Sequence, residues 1–308
     1  MPQIDLARKW FKEFCLPVLR EDFPDLLPRL AAGIAGRGSE CYGFDDEYSA
    51  DHDFNGGIYL WISDEDERKY GFPLMRSYSR LLKEHPFAGK SPSSRQGGEV
   101  RGVTVIGDFF RRHLGFPGVP ENWQQWLYTP EYAFSEVTNG SVFIDDAGIF
   151  SRIREQISCG MPEDVRRKKF AYHSIMMAQS GQYNFLRCLK HKEAAAAAIA
   201  LNEFVIHAAA IIYLFNNSFA PYYKWLFRGM RGLPLLGEVT GKLEKLLTED
   251  LPGTEKAAII EDIAAVIAGK LVSGNWSSAS GTYLEDHAYS IVSGIRDREI
   301  RALHIMEG

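Results

Sequence analysis

The stretch AAGIAGRGSECYGFDDEYSADHDFNGGIYLWI, residues 31–62, changes character three times. It opens on small residues and glycines, passes through an acidic loop, and ends in the run IYLWI, whose β-branched and aromatic residues predict a strand. Within it, Gly38-Ser39 precedes Ser49-Ala50-Asp51-His52-Asp53. Two carboxylates at i and i+2 on an extended chain point to the same face. Asp51 and Asp53 can therefore share one ion. Hard divalent cations such as Mg²⁺ take one or two carboxylates plus substrate phosphates. Gly38-Ser39 offers bare N–H groups and a hydroxyl suited to a phosphate oxygen. A phosphate clamp beside an Asp pair is equipment for phosphoryl or nucleotidyl transfer. Each part alone is common in structural turns. Their combination, behind helices and ahead of an apolar strand, points to chemistry. His52 projects to the opposite face and reads as a packing residue. The acidic FDDEYS (44–49) reads as a solvated turn, or as a loop that repels or positions a cationic acceptor.

Working outward, residues 3–30 read as two helices separated at Pro17, with Trp10, Phe11, Phe14 and Cys15 on one face. Residues 64–85 are charged and periodic, as in a helix. EVRGVTVI (99–106) and SVFID (141–145) read as strands on either side of the Trp-rich segment WQQWLYTPEYAF (123–134). From 147 onward the pattern is helical: 147–158, 163–192, 193–216, 220–231, 234–249, 254–273 and 282–305. Pro162, Pro221, Pro234 and Pro252 mark the breaks. The expectation is an α+β chain, with a mixed β-sheet domain over 1–150 followed by an all-α bundle over 151–308. Ala194 to Phe215 has about the length of a membrane span, but Asn202, Glu203 and His207 interrupt it. It is expected to be a helix buried in the bundle, with no membrane partner.

The 308 residues are 45% apolar and 24% charged, as in ordinary globular chains, which excludes disordered and fibrous classes. A net charge of −5 gives no global cationic field, so DNA is not an expected partner. Four scattered cysteines without a CxxC, and an N-terminus without a signal-peptide core, predict a reduced, cytoplasmic protein. There is no GxxxxGK[ST], no kinase motif set, no GxSxG and no Cys/His metal cluster.

Gly38-Ser39 … Asp51-x-Asp53 resembles the signature of the nucleotidyltransferase superfamily that includes the aminoglycoside and lincosamide enzymes. GSECYGFDDEYSADHDF, GSVFIDDAGIFSRIR (140–154), QSGQYNFLR (179–187) and NNSFAPYYKW (216–225) more closely resemble the domain-of-unknown-function 4037 family, over about residues 30–240. The resemblance implies a catalytic domain with a mixed sheet, a helical C-terminal domain, Mg²⁺ or Mn²⁺, and a nucleoside triphosphate donor. Two departures stand out. Ala50 separates Ser49 from Asp51, where the superfamily has Ser directly before the first Asp. The third carboxylate of the superfamily has no counterpart in the middle of 99–106, so Glu99 and Asp108 are the nearest replacements, as a metal ligand or general base.

In the helical half, Asn184, Arg187 and His191 fall at i, i+3, i+7, and Gln179, Tyr183 and Arg187 form an adjacent stripe. Either this is a solvated face, or Asn184 and Arg187 bind the nucleotide, Arg187 gripping phosphate by its planar fork. Lys224, in PYYKW, is a second phosphate candidate beside Tyr222, Tyr223 and Trp225. The expected activity is metal-dependent transfer of NMP to a hydroxyl or amine of a small molecule, RNA or protein. The alternative is an inactive nucleotide-binding or scaffold protein that kept the fold. A toxin-like or RNA-modifying transferase fits the sequence pI of about 5.9 less well.

Overall fold

The computed structural model describes residues 2–46, 57–87 and 101–308. These form two compact units. The first comprises Met1–Glu121 and Pro130–Gly160, the second Asn122–Thr129 and Met161–Gly308.

In the first unit, α1 (Gln3–Trp10) runs through a π-helical turn, Phe11–Cys15, into α2 (Leu16–Asp22). Pro17 does not separate two helices as its sequence position predicts. It sits in the first turn of α2, where the missing N–H costs least, and the wide turn before it absorbs the change of register. Strands β1 (Ala31–Ile34), β2 (Tyr59–Ile62), β3 (Val103–Val105) and β4 (Ser141–Asp145) form one mixed sheet in the order β3-β2-β1-β4. β1 runs antiparallel to both β2 and β4, and β2 is parallel to β3. The period-2 alternation of β2 builds two buried layers. Leu60 and Ile62 join Trp10, Phe11, Leu74 and Tyr78 on one face. Tyr59 and Trp61 stack on each other at 5.1 Å, and Trp61 lies flat on Phe150 at 3.9 Å on the other. Helix α3 (Asp64–Glu84) is capped by Ser63, whose hydroxyl accepts from the Asp66 N–H at 3.0 Å. Helix α4 (Ile106–Leu114) follows β3 directly, and α6 (Glu131–Thr138) leads into β4.

The division expected after residue 150 falls inside α7 (Ile149–Cys159). That helix packs on β4 and α6, so the first unit continues to Gly160. The Trp-rich segment is divided: α5 (Trp123–Tyr128) packs on the second unit's α8 (Glu163–Met177), while α6 stays with the sheet.

The second unit is helical throughout its described elements. α8 passes through a π-helical stretch, Ala178–Phe185, into α9 (Leu186–Lys190). α10 (Ala194–Phe215) is long and apolar enough to cross a membrane, and 56% of its most apolar window is buried in the bundle. α11 (Tyr223–Met230), α12 (Thr240–Thr248), α13 (Gly253–Ser273), α14 (Leu284–Ser293) and α15 (Arg298–Ala302) complete it. The helix expected over 282–305 is two, because the chain leaves α14 at Gly294 and restarts where Asp297 caps α15.

A buried histidine pair joins α8 to α10. His173 Nδ1 lies 2.9 Å from His207 Nδ1, and His207 Nε2 faces Glu203 at 3.4 Å. One Nδ1 must donate and the other accept, so at most one ring of the pair can be charged. Burial, His207 and Lys169 hold His173 well below the usual histidine range. Burial lowers His207 too, against the opposing pull of Glu203. The unfolded chain takes up protons near pH 6.5 where the folded chain does not. Stability is therefore present above about pH 6.5 and is lost as pH falls toward the depressed folded values. Thermal melts at pH 7.5 and pH 5.5 are expected to show a lower midpoint at the acid value, and His207→Gln should shrink the difference. Equal midpoints for the wild type would contradict this.

Candidate functional site

The chain leaves β1 through a turn whose anchors lie on α6. Gly36 N–H donates to the Glu136 carbonyl at 2.9 Å and to Asn139 Oδ1 at 3.0 Å, and Asn139 Nδ2 donates back to the Gly36 carbonyl at 2.8 Å. Gly38 has φ +119°, which side chains rarely adopt, and it starts the short 3₁₀ turn Ser39–Tyr42. A Cβ on Gly38 would also lie 2.4 Å from the Glu40 carboxylate. The glycine is thus required by the turn and by the acid packed beneath it.

Glu40 and Arg101 form an ion pair in which each side chain is only 2% exposed. The same Arg101 Nη2 donates to the Arg37 carbonyl at 3.3 Å and lies 3.2 Å from Cys41 Sγ. Burial pulls the Arg101 pKa down, but Cys41 and Glu40 more than offset it, so the guanidinium stays charged. Its Nε and Nη1 are buried without an acceptor. Arg154 donates to the Val137 and Thr138 carbonyls at 3.1 and 2.6 Å and also to that of Asn139. It thereby satisfies the C-terminal end of α6. Burial pushes its pKa down to about 10, still charged at neutral pH. Glu136, 5% exposed, accepts from Arg37 Nε at 3.3 Å and faces His113 Nδ1 at 2.9 Å. Tyr42 OH pairs with Ser135 Oγ at 3.1 Å, and burial raises its pKa to about 12.

Among the described residues, three guanidiniums (Arg37, Arg101, Arg154) and two carboxylates (Glu40, Glu136) therefore surround turn 36–41. The one positive charge in excess is that of Arg37 on its exposed side chain, and an exposed guanidinium is suited to an anion.

Of the residues singled out from the sequence, Gly38 and Ser39 lie in this turn, with Ser39 2% exposed. Asp51, Asp53 and Glu99 lie outside the described residues, as does His52. Asp108 is exposed in the first turn of α4 and ion-paired with Arg111. It lines a groove of about 390 Å³ with Glu67, Phe72, Met75 and Arg112, a groove that does not include Gly38 or Ser39. Among the described residues no group of three or more His, Cys, Asp or Glu side chains could hold a metal ion. In the second unit, Arg187 rests on the Tyr183 ring at 5.5 Å and donates to its hydroxyl at 3.0 Å. Asn184 is half-buried in the π-helical stretch Ala178–Phe185, whose turns are wider than 3.6 residues. Lys224 is exposed at the start of α11.

Sequence reasoning missed Glu40, Arg101, Glu136 and His113. Their residue types stand out, but they come from four separate segments, and only the β1 turn brings them together. It also missed strand β1, since AAGI carries little strand signal.

The family model described as Domain of unknown function (DUF4037) matches residues 126–226. The match begins after the Gly38-Ser39 to Asp53 segment. The motifs inside it have architectural roles. Gly140 (φ +73°) lies so close to β1 that a Cβ would be 2.0 Å from the Ile34 carbonyl oxygen. Gln182 accepts from the Leu284 N–H at 3.0 Å, at the start of α14. Asn216 exchanges hydrogen bonds with the Leu235 main chain, 2.9 and 2.8 Å. No curated protein matches the chain. A nucleotidyltransferase-like protein from Exiguobacterium sibiricum 255-15 is 12% identical, with a TM-score of 0.38 over 92% of this chain and 90% of that one.

Proposed function

We propose that the chain is a metal-dependent nucleotidyltransferase, moving NMP from a nucleoside triphosphate to a hydroxyl or amine of an acceptor. The observation that carries this reading is the β1 turn. It offers main chain at Gly38 and the exposed Arg37 side chain beside the buried Glu40–Arg101 pair, which suits a donor's phosphates. In the transfer, the acceptor oxygen or nitrogen bonds to the α-phosphorus, the bond to the bridging oxygen breaks, and pyrophosphate leaves. The acceptor's proton passes to a base, for which Glu99 is the candidate, since Asp108 is committed to Arg111. Asp51 and Asp53 supply the hard oxygen donors that Mg²⁺ or Mn²⁺ takes. The described residues offer no metal site of their own, so that part rests on the Asp51-x-Asp53 spacing.

A second reading, nucleotide binding without transfer, is favoured by one observation. β3 reads Val-Thr-Val and brings no acid to the sheet. Incubation with each labelled NTP, Mg²⁺ or Mn²⁺ and a metabolite extract separates the two. Pyrophosphate release with a nucleotidylated product supports transfer. Saturable NTP binding without pyrophosphate supports the second reading. Neither binding nor release overturns both.

A further inference from the structure

We infer that the start of α11 is a docking surface for single-stranded RNA, with Tyr223 stacking on a base and Lys224 meeting a neighbouring phosphate. Every residue of this surface belongs to the second unit, so it holds or fails independently of phosphate binding at the β1 turn. The chain carries a net charge of −5, yet no acid lies between Glu203 and Glu238, and the lysines and arginines there are Lys224, Arg228 and Arg231. They fall at i, i+4 and i+7, along one helix face. Leu226 and Met230 turn another face of α11 into the bundle core, and Tyr213 OH fixes the helix by donating to the Leu226 carbonyl at 2.8 Å. Arg231 is offset by Glu244. Lys224 is exposed and has no ion pair among the described residues. Lys224 and Arg228 are like charges at i, i+4, an arrangement that costs a helix stability and that a bound anion offsets. Beside this charge stands a bare ring. Tyr223 is 68% exposed and touches Tyr222 at 4.4 Å between centroids, which leaves most of its surface to solvent. An aromatic platform next to a cation is the equipment of single-strand binding: the ring takes a base face and the cation takes the backbone. A duplex covers its base faces, so such a ring selects single strands. The Tyr223 hydroxyl has no hydrogen-bond partner among the described residues, and it can donate to or accept from a 2′-hydroxyl, which DNA lacks. A membrane surface fits less well, because it rewards exposed aliphatic side chains, and Leu226 and Met230 are buried.

The test is fluorescence anisotropy of a labelled single-stranded RNA of about ten nucleotides, within the span of common single-strand sites. The full chain is titrated without nucleoside triphosphate, against this RNA, DNA of the same sequence and the RNA duplex. Wild type is expected to bind the single-stranded RNA saturably and more tightly than the other two. Losing one stacked base weakens binding about fivefold to a hundredfold, so Tyr223→Ala is expected to lose that much. Tyr223→Phe keeps the ring and should keep most of the affinity, while narrowing the gap between RNA and DNA. Lys224→Gln should weaken binding and lower the slope of log affinity against log salt by about 0.7, the share of one phosphate on a single strand. Lys12→Gln, at an exposed lysine of the first unit, should leave binding unchanged. Full-strength binding by both Tyr223→Ala and Lys224→Gln overturns the assignment, as does an equal loss in Lys12→Gln. DNA bound as tightly as RNA overturns the choice of RNA. If wild type ignores RNA but sediments with phosphatidylserine vesicles, the surface is a membrane contact and the RNA reading falls. If it takes neither, the docking surface falls altogether.

Discussion

Replacing Asp51 or Asp53 with Asn is expected to lower nucleotidyl transfer by at least about a hundredfold. A divalent ion supplies several kcal/mol of charge stabilisation in such transfers, and each 1.4 kcal/mol is tenfold in rate. The isosteric amide keeps the volume and the hydrogen-bonding oxygen but removes the charge that the ion requires. Because the two carboxylates act on one ion, the double variant should lose little more than either single one. A binding readout is needed beside turnover. Mg²⁺-dependent ATP affinity, measured by equilibrium dialysis, should fall in both single variants, while ATP binding without divalent ion stays near the wild-type value. Unchanged Mg²⁺ dependence in both would remove the metal from the proposal and leave phosphate binding at the β1 turn as a separate matter.

Glu40→Ala is expected to destabilise the first unit by about 3–5 kcal/mol, the usual cost of stranding a buried charge. Arg101 is 2% exposed in this pair, and two of its nitrogens already lack an acceptor. Among the described residues, removing the carboxylate leaves the guanidinium the Arg37 carbonyl and the Cys41 sulfur. Two controls separate charge from packing. Glu40→Gln keeps an acceptor oxygen and should cost less. The double change Glu40→Leu/Arg101→Met removes both charges and should recover much of the loss, because paired removal avoids the uncompensated ion. Urea unfolding measures all of these. A loss below about 1 kcal/mol for Glu40→Ala would mean that water or a rearranged neighbour solvates Arg101, and that the pair does not hold the turn.

These two expectations differ in origin. Asp51 and Asp53 stand out in the sequence because their chemistry is local, two acids two residues apart. Glu40 and Arg101 are 61 residues apart, and nothing in the neighbourhood of either announces the other. The same division runs through the fold. α3 was legible because Ser63 caps a charged run of helical periodicity, and β2 and β4 because YLWI and SVFID carry β-branched and aromatic residues. β1 was not, because Ala, Ala and Gly have no preference for a strand. It becomes one by pairing on both sides, with β2 and β4. Likewise α4 escaped notice behind a strand signal read over 99–106, whereas the strand ends at Val105 and the helix begins at Ile106.

By itself, the sequence determined the α+β class and the helical character beyond residue 147, since both follow from periodicity and breakers read within one window. Tertiary structure alone decided which acids and bases share a site. It turned Ser39 inward and Arg37 outward, placed Glu40 under Gly38, and gave Asp108 to Arg111. Those outcomes depend on contacts between residues far apart in the chain, where burial makes an unpaired charge costly and so selects the partner.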